Sequence, residues 1–157
     1  MVVGVDGTAQ VRDYVQTHSV DAEIRVLESS TRNSELAANA LGCSIAEIAK
    51  SIVFVDEYNT LVVVLSGDRR VDLRRLCDTV GLNLRLATPE EVYDRTGYRV
   101  GGVPPFPHRM GVRVIVDRSI QRFESVWAAA GDQNSLMRVP TQDLIRVSGA
   151  EVVDISK

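Results

Sequence analysis

The chain has 157 residues, which favours one compact domain, since domains cluster at roughly 100–150 residues. Its 45% hydrophobic and 25% charged residues exclude a largely disordered chain, and no apolar run approaches the roughly 20 residues that cross a bilayer. We expect no signal peptide, and two cysteines are too few for a disulfide framework, so a reducing cytoplasm is the expected location. The net charge of −3 argues against non-specific coating of nucleic acid but permits a local basic strip.

The pattern of apolar and polar residues predicts helices and strands that are interleaved along the chain. Apolar spacings of three and four, together with caps and terminal glycines, predict helices over residues 8–18, 33–41 (capped by Thr31 or Asn33), 44–49, 72–80, 88–96 and 141–147. Alternating or β-branched runs predict strands over residues 22–28, 51–55, 61–65, 112–116, 126–130, 136–139 and 152–155. The glycines and prolines of residues 101–108 exclude regular structure there.

The connections between these elements predict the architecture. Residues 57–59 form a turn between two strands that are apolar on both faces, which indicates a central hairpin covered by helices. We therefore predict a single α/β (α+β) domain over residues 8–157, in which helices wrap a mixed, mostly antiparallel sheet. A flexible N-terminus is predicted over residues 1–7.

The sequence lacks the motifs of several common catalytic and binding sites. It contains no G-x-S-x-G elbow, P-loop or G-x-G-x-x-G motif. His18 and His108 lie in unrelated segments and Cys43 and Cys77 are isolated, so no metal-ligand spacing exists, and no cofactor is expected. Cys77 falls in a predicted helix and Cys43 lies between two, both with apolar neighbours, which favours small buried residues, although a Cys–His or Ser–His pair formed in space stays open.

The loop Gly101-Gly102-Val103-Pro104-Pro105 is the strongest anomaly of the sequence. Glycines allow a backbone that turns its N–H groups outward, and prolines hold that shape. Such a loop can present amide donors to a carbonyl or phosphate oxygen. A plain connector between a helix and a strand explains the same residues equally well.

Two further segments lie at predicted strand ends, where functional sites are usually built. Apart from the C-terminal Lys157, Lys50 is the only lysine of an arginine-rich chain. Codon bias is one explanation for this scarcity of lysine. The other is that position 50 needs a compact ammonium, which could project into a cleft. The second segment is Ser66-Gly67-Asp68-Arg69-Arg70, whose arginines are interpreted as a solvated face rather than an RNA contact.

The order and spacing of these segments match a known family over about residues 15–156. The matching residues are Ala37-Ala38, Leu41-Gly42, Ile48-Ala49-Lys50-Ser51-Ile52-Val53-Phe54, Gly67-Asp68, Val71-Asp72-Leu73, Gly97-Tyr98, Gly101-Gly102-Val103-Pro104-Pro105-Phe106, Val114-Ile115-Val116-Asp117-Arg118-Ser119, Ala130-Gly131 and Asp143-Leu144. With them the chain resembles the YbaK-type aminoacyl-tRNA deacylases. That family includes free-standing prolyl-tRNA editing proteins and the editing insertion of bacterial prolyl-tRNA synthetases.

The resemblance implies hydrolysis of the ester that links a wrong amino acid to the 3′-terminal adenosine of tRNA. It implies that Lys50 anchors the substrate, and that amides around Gly101 to Val103, with Gly101 and Gly102 as the catalytic residues, hold the carbonyl and its developing oxyanion. Water, oriented by the neighbouring ribose hydroxyl, would be the nucleophile. Further implied contacts are Ser51, Gly67, Asp68, Val103, Pro104, Phe106 and Gly131. The implied partner is the acceptor end of aminoacyl-tRNA, and a synthetase or an elongation factor is an additional candidate. We expect no association with a membrane, and the oligomeric state stays open.

Two segments depart from the family pattern. Pro107 and His108 follow Phe106 where the family usually has glycine, and residues 132–135 belong to a stretch that varies among subfamilies. Expected cargoes are small, such as alanine, cysteine or serine on tRNA(Pro), because a compact pocket rejects larger side chains sterically. The alternatives are a non-catalytic module of the same fold that binds a nucleotide or aminoacyl-adenosine-like ligand, and a structural interaction protein.

Overall fold

Five α-helices and eight strands make up most of the regular structure in the part of the chain that the structure describes. The computed structural model describes residues 7–28 and 30–157. The helices are α1 (Gly7–Thr17), α2 (Ser34–Leu41), α3 (Leu73–Val80), α4 (Pro89–Thr96) and α5 (Thr141–Ser148). The strands are β1 (Glu23–Val26), β2 (Ile48–Val55), β3 (Thr60–Ser66), β4 (Arg85–Leu86), β5 (Val112–Asp117), β6 (Ser125–Ala129), β7 (Ser135–Pro140) and β8 (Glu151–Val153). Two 3₁₀ helices cover Ile45–Glu47 and Arg118–Arg122.

All eight strands belong to one mixed sheet. Its order is β1-β7-β6-β2-β3-β5-β8, and the short β4 pairs with β2. The pairs β1/β7, β6/β7, β2/β3 and β2/β4 are antiparallel, whereas β2/β6, β3/β5 and β5/β8 are parallel. The predicted mixed, mostly antiparallel sheet and the central hairpin of β2 and β3 are therefore confirmed.

The sheet is covered by helices on both faces. Helices α1, α4 and α5 pack on one face around a core that includes Val53, Val62 and Val64. Helix α3 packs on the opposite face against Phe54 and Val63, and α2 extends that face beyond it. Alternate residues of β2 and β3 thus enter different cores, as the period of two in a strand requires.

Local signals account for most helix ends. Asn33 Oδ1 accepts a hydrogen bond from Leu36 N at the start of α2, and Asp72 caps α3 in the same way. Gly42 and Gly81 end these helices in the left-handed region, with φ of 69° and 72°, where glycine carries no Cβ penalty. The predicted capping box at Thr88 is also present.

Some elements differ from the sequence prediction. The helix predicted over residues 44–49 is only the 3₁₀ helix Ile45–Glu47, because Ile48 and Ala49 pair with β6 and so begin β2. The predicted capping box is present, since Ser44 N and Oγ both donate to Glu47 Oε1, and it is tertiary pairing that ends the helix after Glu47. The sequence did not predict the two-residue β4 or the second 3₁₀ helix. Residues 1–6 lie outside the described residues, so the flexible N-terminus stays a prediction; Gly7 opens α1.

A buried carboxylate anchors the C-terminal segment to the end of β5. Asp117 is fully buried and accepts hydrogen bonds from Ser119 N at 3.0 Å, Ile155 N at 2.9 Å and Ser156 Oγ at 2.9 Å. Burial alone would raise the pKa of Asp117, but these hydrogen bonds outweigh burial and lower it from its ordinary 3.8. The carboxylate therefore fixes the 3₁₀ helix Arg118–Arg122 against the end of the chain.

We expect Asp117→Ala to lower the free energy of unfolding by about 3 kcal/mol, because it leaves buried N–H donors without partners. Because the folded-state pKa is depressed, the ionised carboxylate contributes stability above pH 3.8, and this contribution is lost as pH falls through the folded pKa. Denaturant unfolding of the parent and Asp117→Ala near neutral pH tests the first point, and a series of the parent and Asp117→Asn from neutral to acid pH tests the second. Equal acid sensitivity of the two proteins would contradict the prediction.

Candidate active site at a gap in the sheet

A cleft opens where β2 loses its neighbours on one side. Strand β6 pairs with β2 only at Ile48 and Ala49, and β4 pairs only at Phe54 and Val55. Residues 50–53 therefore have no strand partner on that edge within the described part of the chain. The cleft in this gap has a volume of about 360 Å³. A broken ladder in the middle of a sheet leaves backbone groups that a ligand can pair with.

The cleft reaches both faces of the sheet, because the gap passes through it. Val103 belongs to the core on the α1 side, whereas Ala37, Ile48 and Leu136 belong to the core on the α2 side. The complete lining is Thr31, Arg32, Asn33, Ser34, Glu35, Ala37, Ile45, Ile48, Ala49, Lys50, Ser51, Ile52, Gly67, Val100, Gly101, Val103, Ala129 and Leu136. The floor is apolar and the rim is polar, an arrangement typical of small-ligand sites.

Lys50 is the half-buried cation of the cleft. Its Nζ donates a long hydrogen bond of 3.4 Å to Gly67 O, and it forms no ion pair among residues 7–28 and 30–157. Burial lowers the pKa of Lys50, Arg70 lowers it further, and Asp68 opposes the shift. An ammonium without a carboxylate partner is available to an anionic oxygen of a ligand.

Ser51 contributes both backbone and side chain to the gap. Val53 O accepts from Ala87 N on the β4 edge, and groups two residues apart in a strand point the same way. The N–H and C=O of Ser51 therefore point into the gap. Ser51 Oγ is buried and has no hydrogen-bond partner among the residues that the structure describes. An unmade buried hydrogen bond costs free energy that a polar ligand would recover.

The glycine-proline loop forms the opposite wall. Gly101 has φ of 87°, and a Cβ there would lie 2.8 Å from Arg32 Cα. Gly102 N donates to Arg99 O at 2.9 Å, so this amide is not free for a ligand. The N–H groups of Gly101 and Val103 have no protein acceptor within the described residues, which leaves these two as the loop's available donors.

Contacts from distant segments hold the loop in place. Gln133 Nε2 donates to Val100 O at 2.8 Å, and Gln133 O accepts from Thr31 N at 2.6 Å. Burial lowers the pKa of His108 to about 4, so its ring is neutral near pH 7 and Nε2–H donates to Pro104 O at 2.8 Å. The two segments that depart from the family pattern thus brace the loop.

The structure brings together half of the predicted site residues. Lys50, Ser51, Gly67, Gly101 and Val103 line the cleft. The other predicted residues are not among its lining residues, and their assignment as ligand contacts stays a prediction. Gly102, Gly131, Pro104 and Phe106 are buried, and the Asp68 carboxylate pairs with Arg122.

The segment Thr31–Glu35 is the part of the cleft that sequence reasoning missed. Its only signal was the helix cap at Asn33, which says nothing of a contact with a loop seventy residues away. Arg32 reaches the site because Gly101 has no side chain to keep it away. Among the described residues no cluster of three or more histidine, cysteine or acidic residues could hold a metal ion, and no helix there is long and apolar enough to span a membrane.

Comparisons with known proteins agree with this geometry. A family model described as an aminoacyl-tRNA editing domain matches residues 28–147. The chain belongs to this aminoacyl-tRNA editing family. The matched region holds the cleft and its whole lining, so the site lies within the editing domain, and the resemblance drawn from the sequence is confirmed.

Three relatives illustrate the family. YwhH of Bacillus subtilis, which is uncharacterized, is 32% identical over 94% of this chain and 95% of its own. The Escherichia coli K12 multifunctional Ser/Thr-tRNA deacylase ProXp-y is 26% identical, over 87% of this chain and 86% of its own. A solved structure described as a candidate trans-editing enzyme for prolyl-tRNA synthetase superposes with a TM-score of 0.87 at 35% identity, covering 96% of this chain and 97% of that one.

The close approach of Gly101 and Arg32 gives a test of the cleft wall. We expect Gly101→Ala to lower the free energy of unfolding by about 1–3 kcal/mol more than Gly111→Ala, because overpacking adds to the backbone penalty. Gly111 is the matched control, since its φ is 91° and no atom lies within 4 Å of its added Cβ. Equal losses in denaturant titrations would show that the wall is not tightly packed.

Proposed function

We propose that this chain is a free-standing editing hydrolase that removes a small, wrongly attached amino acid from tRNA. The observation that carries the proposal is the half-buried Lys50, which has no carboxylate partner in the described chain and lines the same cleft as a loop with two free amides. Membership of the aminoacyl-tRNA editing family supports the reaction class. Aminoacyl esters are activated, so positioning and oxyanion stabilisation can supply much of the rate.

The proposed reaction uses water as the nucleophile. The Gly101 and Val103 amides hold the ester carbonyl oxygen, which becomes negative as water adds to the carbonyl carbon. Lys50 binds an anionic oxygen of the 3′-terminal nucleotide and fixes the ester in the cleft. The bond between the carbonyl carbon and the ribose oxygen then breaks, a proton of the attacking water passes to that ribose oxygen, and the amino acid and the tRNA leave. As the family resemblance implies, the neighbouring ribose hydroxyl of the substrate orients the water.

The lining favours a small cargo. Ala37, Ile48 and Leu136 are apolar lining residues that also belong to a buried core cluster, and core residues make room for a bulky side chain only at a cost in packing. The buried, unpartnered Ser51 Oγ adds one polar group that can pair with a hydroxyl or amino group of the cargo. We therefore propose alanine, cysteine or serine on tRNA(Pro), with threonine as a further candidate because the relative ProXp-y is named for seryl and threonyl substrates.

Deacylation of alanyl-, cysteinyl-, seryl- and threonyl-tRNA(Pro), with prolyl-tRNA(Pro) as the cognate control, tests the proposal. We expect rapid loss of at least one mischarged species and roughly 100-fold slower loss with Lys50→Ala, the effect of removing one charge-stabilising donor. Lys50→Arg should not restore the rate, because a planar guanidinium does not replace a compact ammonium. Lys157→Ala, at the exposed C-terminus, is the matched control.

Two results would contradict the editing proposal. Full activity of Lys50→Ala would remove Lys50 from the mechanism. Absence of turnover on every small aminoacyl-tRNA, combined with saturable binding of a non-hydrolysable aminoacyl-adenosine, would instead favour a binding module of the same fold.

Ser51 gives a separate prediction about cargo choice. We expect Ser51→Ala to lower kcat/KM for seryl-tRNA relative to alanyl-tRNA by roughly tenfold, because it removes one buried hydrogen bond to a hydroxyl-bearing cargo. Ser66→Ala is the matched control, since Ser66 Oγ is also buried without a partner in the described chain but lies outside the lining. An unchanged ratio would assign Ser51 no part in selecting the cargo.

A further inference from the structure

An ion pair stands directly behind the cleft lysine. Arg122 Nη2 donates to Asp68 Oδ1 at 2.7 Å and Nη1 donates to Oδ2 at 3.2 Å. Arg122 Nε donates to Ser119 O at 2.8 Å, so the guanidinium is fixed on both of its edges. This two-pronged geometry is the arrangement in which arginine binds a carboxylate most specifically.

The pair involves a carboxylate whose charge acts on Lys50. Lys50 pairs with Leu65 across the hairpin, and Lys50 Nζ contacts Gly67 O, which places Asp68 one residue beyond that contact. The negative charge of Asp68 favours the ammonium form of Lys50, whereas Arg70 opposes it. Even so, the Asp68 carboxylate forms its ion pair with Arg122 rather than with Lys50.

Stability alone gives a weak reason for this pair. The side chains of Arg122 and Asp68 are 45% and 34% exposed, and pairs of that exposure contribute little to folding. The turn is already tied to the 3₁₀ helix by the hydrogen bond from Ser66 N to Ser119 Oγ at 3.1 Å. The larger consequence of the pair is therefore that it holds the negative charge of Asp68 next to Arg122.

We propose that Arg122 is a positioning residue that holds Asp68 away from Lys50, so that the ammonium stays free for the anionic oxygen of the substrate. Without Arg122, Asp68 pairs with Lys50 and competes with the substrate for it. This inference rests on the proposed function only in its effect on the rate of deacylation. The charge arrangement itself can be measured without any turnover.

A suppressor experiment separates this role from a structural one. We expect Arg122→Gln to lower kcat/KM roughly five- to tenfold, the effect of one part-buried charge pair. Adding Asp68→Asn to Arg122→Gln should restore most of the loss, since the competing charge is gone. Arg118→Gln is the matched control: Arg118 lies on the same 3₁₀ helix but pairs with Asp154, and its rate should not change. If the ion pair only stabilises the fold, the double variant will be at least as slow as Arg122→Gln.

A second readout follows the lysine directly. The chain has two lysines, so reductive methylation with ¹³C-formaldehyde gives an NMR spectrum in which the Lys50 signal is identified by its loss in Lys50→Ala. The charged groups around it are Arg32 and Glu35 in the lining, and Asp68 and Arg70 beside the turn. We expect the pKa of Lys50 to rise in Arg122→Gln and to return in the double variant. An unchanged pKa in Arg122→Gln would overturn the inference, even if the deacylase activity were established.

Discussion

The interruption of pairing along β2 is the constraint on which the rest of the site depends. Strand β2 pairs continuously with β3, yet on its other edge β6 and β4 cover only its two ends. An uncovered stretch inside a sheet must be closed by something, because buried backbone groups need partners. The Gly101–Val103 loop and the Thr31–Glu35 segment close it without filling it, and the remaining space is the cleft.

The strand period then decides what each residue of β2 can contribute. Lys50 shares its face with Ile48 and Phe54, which belong to the cores on the α2 and α3 side. Ser51 shares its face with Ala49 and Val53, on the side of α1. Neighbouring residues can act on one ligand from two faces only where the sheet is open, since elsewhere other strands would separate them. The gap therefore makes a cation and a hydroxyl of adjacent residues part of one site.

Local sequence signals predicted most of the fold because they act within a few residues. The cap at Asp72, the capping box at Thr88 and the hairpin turn before Thr60 all depend on neighbours in the chain. The helix predicted over residues 44–49 was wrong beyond Glu47, because Ile48 and Ala49 pair with residues nearly eighty positions away. Parallel pairing of this kind leaves no signature in a short window of sequence.

The same distinction separates the predicted and missed parts of the site. Lys50 was identifiable because its residue type is rare in this chain, whereas Arg32 and Arg122 are two arginines among many. Their difference is one of geometry: Arg122 uses its planar fork to bind Asp68 and Ser119, and Arg32 lies against a glycine in the cleft wall. A planar guanidinium binds a fixed carboxylate well, whereas a compact ammonium on a flexible side chain can bind a ligand reversibly. In the proposals made above, these two tasks are divided between the arginines and the one interior lysine of an arginine-rich chain.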